Sequence, residues 1–183
     1  MPSHATETRP SVPRKPPYRF GDAAITHMFM CMFAAEESGP ITVTHLLRSL
    51  YVVDLERMLL YWNSWRDWVK IESVMRRFCG LTRPRWVYWL ELYESTRRKR
   101  KPAFLNKLIP YDAHVAAIFE EAAGLAARYR KGSSEIGFRE IFLATTKHQD
   151  LTPIGALLAT GLDLSRLERD VMSGRRLNSR PRT

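Results

Sequence analysis

The apolar residues of this chain recur at helical spacing almost throughout. From Asp22, an N-cap after Gly21, the set Ile25, Met28, Phe29, Met32 and Phe33 follows the i, i+3, i+4, i+7, i+8 stripe of a helix facing a core. Gly39-Pro40 stops it. The next stretch is "GPITVTHLLRSLY". With Thr42 as N-cap, Ile41 stands just outside the helix and Leu46 is the fourth residue inside, so the two can close as a hydrophobic staple. "SSEIGFREIFLATT" repeats this frame: Gly137 caps, Ile136 staples onto Ile141, and Glu140 at the third helical position can reach back to a free backbone N–H.

The surroundings repeat as well. "MFMCMFAAEES" and "VAAIFEEAAGLAARY", longer apolar helices rich in alanine at their ends, precede the two copies. "VVDLERMLLYW" and "LTPIGALLATGLD" follow them, the latter with Thr152 as N-cap, Pro153 at the first helical position and Gly161 as the stop. "SWRDWVKIESVMRRF" and "DLSRLERDVM" complete two similar four-helix units, and alternating strand patterns are nearly absent. The expectation is an all-α domain with pseudo-twofold halves: repeat one at 22–78, a connector at 79–110 and repeat two at 111–172. Within the connector, a helix from Arg85 to Arg98 would carry Trp86, Trp89, Leu90 and Tyr93 on one side. Residues 1–20, with prolines at 2, 10, 13, 16 and 17, read as a disordered basic leader, and 173–183 as a disordered basic tail.

Charge adds one question. The net charge is +10, but the excess sits in the leader, the tail and the connector run Arg97, Arg98, Lys99, Arg100, Lys101. That placement suits solvated flanks, and a specific anionic partner is the alternative. The two cysteines, Cys31 and Cys79, form no CxxC pair, so a reducing cytoplasm is expected. No apolar run nears the roughly 18 residues needed to cross a bilayer, and the leader lacks the apolar stretch of a signal peptide.

No phosphate loop, GxSxG elbow or HExxH pair occurs, so neither an enzyme nor a cofactor is expected. His27 and Cys31 lie four apart and could share a metal with His45; a buried thiol beside an imidazole is the simpler reading, and no metal is expected. Cys79 and His114 have no local support as a nucleophile and its base. Asp150, Asp163 and Asp170 read as cap and surface residues. For the aromatic cluster Trp62, Trp65, Trp68, Trp86, Tyr88 and Trp89, core packing is the expectation and a binding groove the alternative.

The paired pattern resembles the N-terminal domain of the Clp/Hsp100 unfoldases, the double Clp repeat. Its signature is a helix ending in spaced alanines, a short loop, "I-x-x-E-H-L-L-x-A-L" and later "L-L-x-x-G-hydrophobic-Asp". This chain has "FAAEESGPITVTHLLRSL" in its first half and "EEAAGLAARYRKGSSEIGFREIFLATT…GALLATGLD" in its second. Over about 22–172 the resemblance implies an eight-helix globule that docks proteins and catalyses nothing. In that family the domain is attached to AAA+ ATPase rings and binds adaptors, substrates or, in type VI secretion, a helix of the contractile sheath. Here a stand-alone docking domain is expected. Where the family has the glutamate of "E-H-L-L", this chain has Thr44, and Arg139 in the second repeat, so the phosphorylated arginine read by some members is not expected as a ligand.

The function expected from the resemblance is therefore an adaptor, substrate-recognition or regulatory partner in a Clp unfoldase or type VI secretion-related system. Its candidate contacts are Thr42, Thr44 and His45 with Gly137, Arg139 and Glu140, and further out Trp86 and Trp89. The alternative is nucleic-acid binding, with Arg97, Arg98, Lys99, Arg100 and Lys101 on phosphates and nearby aromatics stacking on bases.

Overall fold

The computed structural model describes residues 19–21, 39–98, 111–130 and 135–174. The helix expected over 22–38, His27 and Cys31 with it, lies outside them, as do most of the leader and all of the tail beyond 174. The described chain is mostly helical. Seven α-helices run in order: α1 Val43–Leu59, α2 Trp68–Cys79, α3 Arg85–Arg98, α4 Ala113–Tyr129, α5 Phe138–Thr146, α6 Thr152–Leu158 and α7 Leu164–Met172. A 3₁₀ turn, Trp65–Asp67, leads into α2, and β1 Arg19–Phe20 pairs with β2 Glu135–Ile136 in parallel. Among the described residues no helix is long and apolar enough to cross a membrane.

At the start of α1 the chain uses Thr42 as N-cap, with Ile41 and Leu46 both buried, as the staple frame requires. The two helices expected here meet at Asp54, whose non-helical conformation (φ −116°, ψ 30°) puts a kink between them within α1. In the second half Pro153 and the polar stretch at 147–150 separate α5 from α6. Leu151 caps α6, with Thr152 and Pro153 inside, one residue earlier than the sequence suggests.

α5 threads the middle of one core, and all nine of its residues are buried. Phe142 meets Tyr61, Trp62 and Phe138, with ring centroids 6.2, 6.0 and 5.5 Å away. Thr145 and Thr146 avoid stranding their hydroxyls by donating to Ile141 O and Leu143 O, both at 2.7 Å. α4 and α7 cover α5, α2 packs against α1 and α6, and α3 rests on α1.

Three backbone pairings tie distant segments together. Phe20 lies beside Ile136, Tyr111 beside Ile41, and Trp62 opposite Leu162 in an antiparallel bridge. The supporting bonds are Gly21 N–H to Ile136 O at 2.9 Å, Asp112 N–H to Ile41 O at 2.9 Å and Asp163 N–H to Tyr61 O at 2.7 Å.

Candidate functional site

The two short helix starts are built alike from different chemistry. At α1 the Thr42 N–H donates to His45 Nδ1 at 3.1 Å, while the His45 N–H approaches Thr42 Oγ1 at 3.5 Å. A histidine thus does the work that a glutamate does in the usual capping box. Nδ1 can accept only from the neutral ring, and the ring is held below its ordinary pKa, first by burial and then by Arg48, against the pull of Asp112. Thr44, one position earlier, is half-buried.

At α5, Glu140 Oε2 accepts the Gly137 N–H at 2.9 Å, and its carboxylate also pairs with Arg130 at 2.7 Å. A Cβ on Gly137 would stand 2.7 Å from the Arg130 guanidinium and 2.8 Å from the Glu140 carboxylate, so only glycine lets the pair close over the helix start. Arg139 is buried and donates to Asp170 O at 3.2 Å, beside the Tyr61 hydroxyl that donates to Asp170 Oδ2 at 3.1 Å. Arg139 and Glu140 therefore face inward and hold the second half together. Thr42, Thr44, His45 and Gly137 are half-buried, and so more accessible than Arg139 and Glu140.

The aromatic cluster divides. Trp62 is buried and donates from Nε1 to Thr160 Oγ1 at 2.7 Å, and half-buried Trp68 stacks on Tyr51 at 6.0 Å. Tyr88, also buried, anchors α3. Its hydroxyl accepts the N–H groups of Thr82 at 2.9 Å and Arg83 at 3.2 Å, and the guanidinium groups of Arg48 and Arg83 lie over its ring, 4.7 and 5.0 Å from the centroid. Burial pushes that phenol upward, but the hydrogen bonds from Thr82 and Arg83 outweigh it and bring the pKa down to about 8. A second anchor is Arg85, whose Nε reaches Tyr51 O at 3.1 Å and Val52 O at 3.0 Å, carbonyls just before the bend of α1.

The other aromatic residues of α3 point away. Trp86 is 66% exposed, Trp89 46%, Leu90 41% and Tyr93 48%. Trp89 and Tyr93 stack on each other, centroids 5.4 Å apart and rings 8° from parallel. Core packing accounts for Trp62, Trp68 and Tyr88, but not for these. The Trp65 side chain lies outside the described residues. Of the basic run, Arg97 and Arg98 fall in the last turn of α3, and Lys99, Arg100 and Lys101 lie outside the described residues.

The groups with possible reactivity have structural occupations. Burial, only partly offset by Arg48, pushes the Cys79 thiol up to about 12, and His114 sets its ring edge against His148 at 6.2 Å. Asp163 caps α7 by accepting the Arg166 N–H at 3.0 Å. Among the described residues, no three His, Cys, Asp or Glu side chains gather where they could hold a metal ion. What the surface offers is apolar and cationic contact. Sequence reasoning missed the capping role of His45, although its place three after Thr42, matching Glu140 three after Gly137, was a usable signal. No protein-family model matches the chain, and no curated protein matches it.

Proposed function

We propose that this chain is a non-catalytic protein-docking module built on the Clp-repeat plan, acting as an adaptor, substrate-recognition or regulatory partner of a Clp unfoldase or a type VI secretion-related machine in the cytoplasm. The observation that carries the reading is the reciprocity of the backbone pairings. Phe20, leading into the first half, pairs with the staple residue Ile136 of the second, and Tyr111, leading into the second, pairs with the staple residue Ile41 of the first. Trp62 meets Leu162 across the middle, the one just after α1 and the other just after α6. Such an exchange is what two pseudo-twofold units would make. A globule of that plan has two equivalent helix starts, and the one at Thr42, Thr44 and His45 is the more accessible one.

The test is affinity capture from native lysate with the full chain, at moderate and high salt and with and without nuclease, read by mass spectrometry and repeated with Thr44→Glu. An unfoldase, its protease or a sheath protein that survives salt and nuclease, and is lost with Thr44→Glu, supports the reading. Partners that depend on nucleic acid overturn it in favour of the basic run at 97–101.

A further inference from the structure

Two histidines meet where α4 begins and α5 ends. His114 is the second residue of α4, just after the N-cap Asp112, whose Oδ1 accepts the Val115 N–H at 2.8 Å. His148 lies in the turn between α5 and α6, and its backbone is fixed on both sides. Its N–H donates to Thr145 O at 3.2 Å and its carbonyl accepts the Leu151 N–H at 3.1 Å. Beside it Lys147 pairs with Glu121, seven residues after His114 and so on the same face of α4. Two adjacent residues of the turn therefore reach α4, one through an ion pair and one through an imidazole.

Core packing does not account for the imidazole contact. His114 is exposed and His148 half-buried. Their rings stand edge to face, 90° apart, with centroids separated by 6.2 Å. Among the described residues neither ring makes a hydrogen bond or an ion pair, so the protein leaves their nitrogens available.

The separation suits a shared ion. An imidazole nitrogen binds zinc at about 2.0 to 2.1 Å in the ring plane, which puts the ion about 3.2 Å from the ring centroid. Two imidazoles on one ion, at an angle between tetrahedral and linear, then have centroids about 5 to 6.5 Å apart, a range that includes the observed 6.2 Å. Because His114 is exposed, it can turn a nitrogen toward that ion without disturbing the core. Imidazole favours zinc, copper and nickel, whereas magnesium and calcium take oxygen ligands. The cation next in the chain, Lys147, is neutralised by Glu121. No third His, Cys, Asp or Glu among the described residues joins the pair, so the other coordination positions fall to water.

We propose that His114 and His148 form a two-ligand surface site for a late transition-metal ion such as zinc, which clips the α5–α6 turn to the start of α4 beside the Lys147–Glu121 pair. The site goes beyond the docking reading and stands whether or not the chain binds a protein.

The experiment titrates zinc chloride into the full chain, made without a polyhistidine tag, and follows the heat of binding, with magnesium chloride as the control. Saturable zinc binding that magnesium does not reproduce is expected. His114→Ala and His148→Ala should each weaken it at least tenfold with the circular dichroism unchanged, while His45→Gln should leave it as it was. Zinc should also raise the melting temperature of the wild-type chain and of His45→Gln, but not of the other two variants, because an ion that binds only the folded state stabilises it. A chain that takes up no zinc, binds it equally after both substitutions, or loses it after only one of them overturns the inference. Binding lost in His45→Gln and kept in His114→Ala also overturns it, and assigns the ion to the set His27, Cys31 and His45 that the sequence also offers.

Discussion

α5 and α3 are both rich in large apolar residues, and the fold treats them oppositely. α5 is buried at all nine positions, including Arg139, Glu140 and two threonines. α3 shows its tryptophans to solvent and buries Tyr88 instead. The difference lies in how each helix is held. α5 has neighbours on every side, so its polar groups find partners within the protein: Arg130 for Glu140, Asp170 for Arg139, backbone carbonyls for the threonines. α3 is attached along one side, through Tyr88 to the loop at 82–83 and through Arg85 to the bend of α1. Burial follows from the number of surfaces that reach a helix, and hydrophobicity alone does not decide it.

The contrast predicts unequal sensitivity. The largest effect is expected from Phe142→Ala, which empties the space against Tyr61, Trp62 and Phe138. It should lower unfolding stability by about 3–5 kcal/mol in a denaturant titration. A loss near zero would mean that α5 is not the centre of the core. Next, Glu140→Ala should cost about 3 kcal/mol, because it strands Arg130 and frees the Gly137 N–H together. Gly137→Ala should also destabilise, since its Cβ would collide with both partners.

A smaller effect separates the two helix starts by pH. The folded pKa of His45 lies below the unfolded value near 6.5, so the unfolded chain takes up the proton first. The stability contributed by the neutral ring is complete above about pH 6.5 and is lost as pH falls through the lower folded pKa. His45→Gln should flatten the stability profile as pH falls below the ordinary histidine range. An unchanged slope would remove the capping role from His45. The smallest effect is expected on α3, where Trp86→Ala and Trp89→Ala should each change stability by less than about 0.5 kcal/mol, as for exposed positions elsewhere. A loss of several kcal/mol would show that the stripe packs inside the protein and would abolish the contrast with α5.

Much of this was legible along the chain because local rules governed it. The bounds of α3, the burial of Ile41, Leu46, Ile136 and Ile141 at the two helix starts, the Glu140 cap and the turn at Gly161 (φ +94°) each follow from residues within a few positions of one another. The side on which α3 is held did not follow. Its periodicity marks an apolar stripe, yet a stripe reads the same whether it meets the protein's own core or a foreign surface. The burial of Arg139 was equally hidden, since its partner Asp170 lies a whole helix pair away. Trp62 gave no sign that Thr160 would receive its indole N–H.

By itself, then, the sequence determined the bounds of α3, the starts of α1 and α5, and the repeated frame at Thr42 and Gly137, because capping and helical periodicity are short-range effects. Tertiary structure decided which faces are covered. It enclosed α5 with Arg139 and Glu140 inside, and left Trp86, Trp89, Leu90 and Tyr93 outside. Those outcomes depend on long-range packing, where a side chain is buried only if a distant segment arrives to cover it.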